Sequence, residues 1–440
     1  MRVPFFVPVN PAGPNAANKF QIMNAPKAKK IPGCILGAML LLAGLASAQD
    51  NSALINALIK KGILNKEEAT QIQTDMAKDN AAAQVSTSGN KSLGRLSLSG
   101  RIQIQYAGLS TDINGTTADP VGTSHFFLRR IYLVAKANLG QGWTSSLNYD
   151  FAGSTFDEAK ISWTKNDAFN LDLGFRKVPF GLEEWYTSSG SLKAIERSPG
   201  TRYFVEGNNG RRLGAGSYRT GIFVGGKDSS GLFYNVAVTN PERNEDAIAG
   251  VTSAGSAANN NFAYWGNLGY KAKAGNGLAY VLSVSVGLLP DQGGKTLGAG
   301  DDLTVYNAFA TFTRGNLDLQ LEYFGGDNHH GVSATQNSRS SAWSIQPSFK
   351  QGDRMEYVVR YTQVDSDGRG VNLSDGIRSA PGGGTMDRLS EWYLGFSYFF
   401  RGNDVKWQLG YILGESDDTV TGGAAKARTQ GVRSQMQVNF

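Results

Sequence analysis

From residue 92 onward, apolar and polar side chains exchange places at nearly every step. In "LSLSGRIQIQY", Leu96, Leu98, Gly100, Ile102, Ile104 and Tyr106 alternate with Ser97, Ser99, Arg101, Gln103 and Gln105. "VKWQLGYIL" sets Val405, Trp407, Leu409, Tyr411 and Leu413 against Lys406 and Gln408. Successive side chains of a strand point to opposite faces, so this period of two predicts strands with one apolar and one wet face. Sixteen such segments are predicted, near 95–107, 125–139, 142–152, 156–165, 169–177, 211–225, 231–239, 261–272, 277–288, 303–313, 316–324, 340–350, 354–364, 389–400, 405–414 and 429–440. Tight turns such as "LGQGW", "KNDAF" and "TRGN" alternate with mostly longer connections such as "GGDNHHGVSATQNSRSS". An even strand count with short turns at one end predicts an all-β fold, a transmembrane antiparallel β-barrel of about 16 strands. A soluble β-sandwich or solenoid requires no such sorting of loop lengths. In the last segment, "RSQMQVNF", the alternation continues through Met436 and Val438 to a terminal aromatic residue, Phe440.

The first 91 residues follow another pattern. Lys27, Lys29 and Lys30 precede an apolar run from Ile35 to Leu45 and then Ala46-Ser47-Ala48. That is the layout of a secretory signal over residues 1–48, with a single anchor helix as the alternative. Without those residues, Arg2, Lys19, Lys27, Lys29 and Lys30 are lost, and the formal charge falls from +6 to 38 − 37 = +1. The basic balance therefore belongs mostly to the signal, and no nucleic-acid partner is expected. The one cysteine, Cys34, leaves with it, so no disulfide or cysteine metal site is expected in the mature chain. Residues 49–91 read as a short helical or coiled-coil periplasmic segment and a linker. Leu54, Ile55, Leu58 and Ile59 lie at helical spacing, Gly62 stops the helix, and Asn65 with Glu68 forms a capping-box pattern. Its 51–78 portion is either a cell-wall or oligomer contact or a solvated leader.

Two places break the alternation. In "HFFLRRIYLVAKANL", Arg129 shares parity with Ile131, Leu133 and Ala135, on what is the lipid face of a barrel. A single β-bulge at Arg129-Arg130 lets Phe126 and Leu128 join Ile131 and Leu133 outside while both arginines lean into the lumen. The alternative has Arg129 snorkelling at the interface. "TFDEAKISW" shows the same slip at Asp157. Counting hairpin partners from their connections places Arg130 near Arg101 and residue 151, and brings Asp157 and Lys177 to the same height. Such a rung suits a tetrahedral oxyanion, because guanidinium groups present fork-shaped donors to it. Directly after Lys177 runs the longest connection, 178–210, long enough to fold inward and narrow the channel.

The ordered pieces "GRIQIQY", "FFLRRIYL", "FDEA", "PFGLEE", "TSS" and "AIERS" resemble the phosphate-selective porin O and P family. The resemblance runs over 92–440 and is clearest over 96–212. It implies a trimeric sixteen-stranded barrel whose third loop constricts the pore. It also implies an anion site at Arg101, Arg129, Arg130, Asp157, Ser188, Ser189 and Arg197. The chain departs from the family at "EWYTSSG", where Glu184 and Gly190 stand in place of two lysines flanking the TSS.

The function expected is a passive outer-membrane porin for small anions, phosphate or polyphosphate, using an arginine-lined constriction. A general or sugar porin with little charge selectivity is the alternative. The partners expected are the lipid bilayer, small anions and two further copies in a homotrimer. An enzyme is not expected, since His125, His329 and His330 have no evident nucleophile and acid partners, and no cofactor or metal is implied.

Overall fold

The computed structural model describes residues 96–114, 121–207, 211–240, 262–290, 302–333, 335–382, 385–418 and 426–440. The predicted signal and the 49–91 segment lie outside the described residues. The period-two segments become β1 (Leu96–Ile113), β2 (Val121–Gly140), β3 (Trp143–Asp150), β4 (Thr155–Asn166), β5 (Phe169–Lys177), β6 (Tyr218–Lys227), β7 (Leu232–Thr239) and β8 (Ala263–Lys273). They continue as β9 (Ala279–Leu289), β10 (Leu303–Arg314), β11 (Leu317–Ser333), β12 (Gln336–Gln351) and β13 (Met355–Asp365). A two-stranded sheet of β14 (Val371–Asn372) and β15 (Thr385–Met386) interrupts the series before β16 (Arg388–Arg401), β17 (Val405–Asp417) and β18 (Lys426–Asn439). The sixteen long strands form one closed antiparallel barrel in which β18 pairs with β1, from Arg101 opposite Asn439 to Ile113 opposite Ala427. Closure gives each long strand a neighbour on both sides over most of its length, which is how a β-structure satisfies its backbone in lipid.

Side-chain parity sorts as the alternation requires. On β9, Leu282, Val284, Val286 and Leu288 are exposed on the outer face while Val281, Ser283 and Ser285 are buried inside. Aromatic rings gather near both ends of the wall. Trp143 with Trp163 and Tyr398 with Phe400 lie beside the short turns, and Trp343, Tyr361 and Trp392 lie nearer the long connections. Such rings mark the two membrane interfaces.

Both slips in the alternation are bulges. Gln103 lies opposite Arg130 and Ile104 opposite Leu128, so Arg129 is the extra residue. Likewise Asn148 faces Glu158 and Tyr149 faces Phe156, which leaves Asp157 unpaired. Phe126, 77% exposed, and Leu128 stay on the outer face, while Arg129 and Arg130 both enter the lumen. Deleting Arg129 should restore a regular ladder without turning any outer residue inward. The deletion variant is expected to assemble and keep its heat-modifiable gel mobility. Misassembly of the deletion where Arg129→Ala assembles would show that the extra residue is needed for register.

The inner face is not uniformly wet. Residues 178–207 and 211–217, between β5 and β6, lie inside the barrel, and β6 begins at Tyr218 and not near 211. This inward loop carries Phe180, Ile195, Tyr203, Phe204 and Val205 into a core with Trp265, Val305, Phe324, Ala342 and Val358 of the wall. Phe204 stacks on Phe324 with ring centroids 5.3 Å apart. Strands under the loop thus carry apolar residues on both faces, because the loop and not water covers their inner side. An α-helical piece of the loop, α1 (Pro199–Val205), starts at a Ser-Pro pair. The Ser198 side chain caps the Thr201 amide and Pro199 occupies the first turn, where its missing N–H costs nothing.

Candidate functional site

The lumen-facing charges of β1, β2, β4 and β5 meet the inward loop. Arg101 donates from Nη1 to the Ser189 hydroxyl at 2.8 Å, from Nη2 to the Ser188 hydroxyl at 3.4 Å and from Nε to Asn439 Oδ1 at 2.8 Å. Its guanidinium lies so close over Gly190 that a Cβ there would fall 2.3 Å from Nη2, so a side chain at 190 would push the Arg101 guanidinium aside. Arg130 donates to Gln103 Oε1 at 2.7 Å and is buried. Asp157 accepts from the Tyr218 hydroxyl at 2.9 Å, and Lys177 Nζ sits 5.2 Å from the centre of the Tyr218 ring.

The expected rung is present with a shifted register. Arg101 lies opposite Tyr132, and Arg130 opposite Gln103, two residues farther along β1. Counting from connections ignores strand tilt, and a barrel cannot close without that tilt. Residue 151 is where expected, since the Phe151 amide bonds the Ile131 carbonyl beside Arg130. Arg129 is set higher in the lumen and points to a carboxylate, gripping Glu196 with Nε at 2.6 Å and Nη2 at 3.1 Å. Arg197 bonds Glu184 Oε2 at 2.6 Å.

Carboxylates that parity alone left unassigned take up most of the cations. Glu184 also meets Lys177 at 3.1 Å, and Glu196 meets Arg378 at 3.2 Å. Glu206 bonds Arg202, Arg212 and Arg378, and Arg360 joins Glu183 at 3.1 Å to Glu391 at 2.8 Å. Burial would raise the loop carboxyls, but the facing cations prevail: Arg197 and Lys177 hold Glu184, and Arg129 and Arg378 hold Glu196, below the usual carboxylate range. Burial and then Arg202 bring Arg378 down to about 10, which leaves it charged at neutral pH. Among the described residues, Arg101 and Arg130 form no ion pair; the partners of their hydrogen bonds are neutral. Arg433 of β18 is buried, and neither of its terminal nitrogens meets a hydrogen-bond partner among the described residues. Arg360 and Arg433 were findable from the alternation. Arg360 shares parity with Glu356, Val358 and Thr362, against the outward Tyr357, Val359 and Tyr361.

Neutral glutamines hold the loop backbone against the wall. Gln103 donates to the Ser189 carbonyl at 3.3 Å and Gln437 to the Gly190 carbonyl at 3.0 Å. Gln408 donates to the carbonyls of Leu192 at 3.4 Å and Lys193 at 3.0 Å. A second inward part, residues 366–382 and 385–387, carries β14, β15 and the short α2 (Leu373–Gly376). It ties down through Arg378 and through Arg202 Nη2 to the Ser374 carbonyl at 2.9 Å.

A closed sixteen-strand barrel with an apolar outer face, aromatic rings at both rims and an inward loop over a charged lumen defines an outer-membrane porin, a channel and not an enzyme. The chain belongs to the phosphate-selective porin O and P family, whose model matches residues 96–440. Its place is the bacterial outer membrane. No curated protein matches the sequence. Solved structures of similar fold include an anion-selective porin from Comamonas acidovorans, 13% identical, covering 79% of this chain and 99% of that one with a TM-score of 0.52. OprB of Pseudomonas putida, in a high-pH structure, is 10% identical and covers 78% and 94% with a TM-score of 0.50. The outer-membrane channel DcaP of Acinetobacter baumannii is 14% identical and covers 80% and 99% with a TM-score of 0.49. At these identities the likeness to the first two is one of fold.

Proposed function

We propose that the channel passes small anions, phosphate or polyphosphate, through a constriction made by the inward loop and the wall at Arg101, Arg129, Arg130, Asp157, Ser188, Ser189 and Arg197. One observation carries this reading: Arg101 and Arg130, two rows apart on the inner wall, have only neutral hydrogen-bond partners, and Arg101 meets two serine hydroxyls. Uncompensated guanidiniums in a narrow channel raise the local anion concentration and replace the hydration an anion loses on entry. Arg129 and Arg197 have their charges met by Glu196 and Glu184 and so contribute less to the net field. Residues 1–48 act as the export signal and 51–78 as a periplasmic helical element in this reading.

The working unit is a homotrimer. Above Tyr132, among the described residues, no strand pairs the outer edge of β2, because β3 ends at Asp150 opposite Tyr132. The wall is low there, and exposed Phe126 and Leu128 flank the unpaired stretch. An open sheet edge at membrane depth needs cover from protein, and a second copy supplies it.

The test is single-channel recording in planar bilayers. A potassium chloride gradient should give a reversal potential of anion-preferring sign, and added phosphate should block chloride current. A channel with neither property is a general or sugar porin.

A further inference from the structure

We infer that Glu184 sets how strongly this channel holds an anion: it is a counter-ion built into the inward loop, occupying two cations that the permeating anion would otherwise use. The inference rests on the anion-porin reading above. Glu184 lies in a π-helical turn, Leu182–Tyr186, that follows Gly181 with φ of 91°. The wide turn directs two consecutive glutamates into protein. Glu183 goes to Arg360 and the Ser198 amide, and Glu184 goes to the rung. There Glu184 Oε2 takes Arg197 Nε at 2.6 Å and Oε1 takes Lys177 Nζ at 3.1 Å. Lys177 is held a second time, by the Glu184 carbonyl at 2.5 Å. The carboxylate is buried, so solvent screens neither contact.

Charge counting shows what this does. Arg101, Arg130, Lys177 and Arg197 bring four positive charges to the rung, and Asp157 and Glu184 bring two negative ones, which leaves 4 − 2 = +2. A neutral residue at 184 leaves +3 and frees an ammonium and a guanidinium. An oxyanion approaching Arg101 and Arg130 must therefore displace Glu184 from Arg197 or bind close to a like charge, and both weaken its hold. Weak holding favours flux over retention, since conduction requires that an ion leave as readily as it enters.

Glu184→Gln keeps the shape and removes the charge. Chloride current through the assembled porin is titrated with inorganic phosphate, and the half-blocking concentration is expected to fall on the order of tenfold, the size of one close repulsive charge removed. The reversal potential should move further toward anion preference. Damage to a purely structural brace would loosen the site and weaken the block, so the direction of the change separates the two roles. Glu415→Gln, which removes the same charge at the exposed rim where Glu415 pairs with Arg428, should leave the block as in the unaltered channel. Should Glu184→Gln not assemble, Glu184→Asp is measured. Its shorter arm cannot span Lys177 and Arg197 together, and a smaller fall in the same direction is expected. An unchanged or weaker block in the assembled variant overturns the inference. If the unaltered channel shows anion preference and phosphate block while the variant leaves both as they are, the inference fails alone. If the unaltered channel shows neither, the anion-porin reading fails and the inference with it.

Discussion

Replacing Arg101 and Arg130 together by alanine will turn the channel from anion toward cation preference and abolish most of its phosphate block. These two guanidiniums are the rung's cations without a carboxylate partner, whereas Lys177 and Arg197 are held by Glu184. Their removal takes the rung from +2 to 0 by the same counting, with Asp157 and Glu184 still in place. Assembly should survive, since the lost hydrogen bonds to Ser188, Ser189, Asn439 and Gln103 all lie on the inner side and the outer, lipid-facing side of the wall is untouched. Reversal potentials in dilute and concentrated potassium chloride check the result. The difference from the unaltered channel should be largest in dilute salt, because the Debye length falls from about 10 Å at 0.1 M to about 3 Å at 1 M. A double variant that keeps its reversal potential and its block would show that the arginines brace the wall and do not select the ion.

The second large effect concerns the wall. Leu321 and Gln320 are neighbours at one depth on β11, yet face opposite sides. Leu321 lies between Ala310 and the exposed Ile345 on the outer face, while Gln320 accepts from Gln346 on the inner. Leu321→Arg places a guanidinium in hydrocarbon at a cost of about 2–4 kcal/mol near mid-depth, and should lower refolding yield into liposomes and unfold at lower denaturant. Gln320→Arg adds the same charge beside Asp318 and Glu322 on the inner face and should assemble normally. Equal damage from both would mean that the two sides of β11 are wrongly assigned.

The wall was legible in the sequence because lipid on one side and water on the other impose a period of two, and each exception to that period proved to be an inserted residue. Arg129 and Asp157 show it: each breaks parity in the sequence and each is the extra residue of a bulge. The height at which Arg130 meets its neighbours was not legible, because it depends on the stagger that closes the sheet. Nor were the ion pairs of Glu183, Glu184, Glu196 and Glu206. These lie on a loop with no period, and their partners, such as Arg360 and Arg378, are far away in the chain. The apolar inner face at Trp265 and Phe324 was hidden for the same reason, since the loop that covers it leaves no mark on the strands themselves.

The glutamines that hold the loop bear no charge. Gln103, Gln408 and Gln437 fix the backbone from Ser189 to Lys193 by neutral hydrogen bonds, which dissolved ions do not weaken, whereas the field of Arg101 and Arg130 fades as salt is added. On the anion-porin reading, part of the hold on the loop is therefore indifferent to salt, while the preference for anions is not. A cell moving from fresh to brackish water would keep the same molecular sieve while its discrimination between ions relaxes.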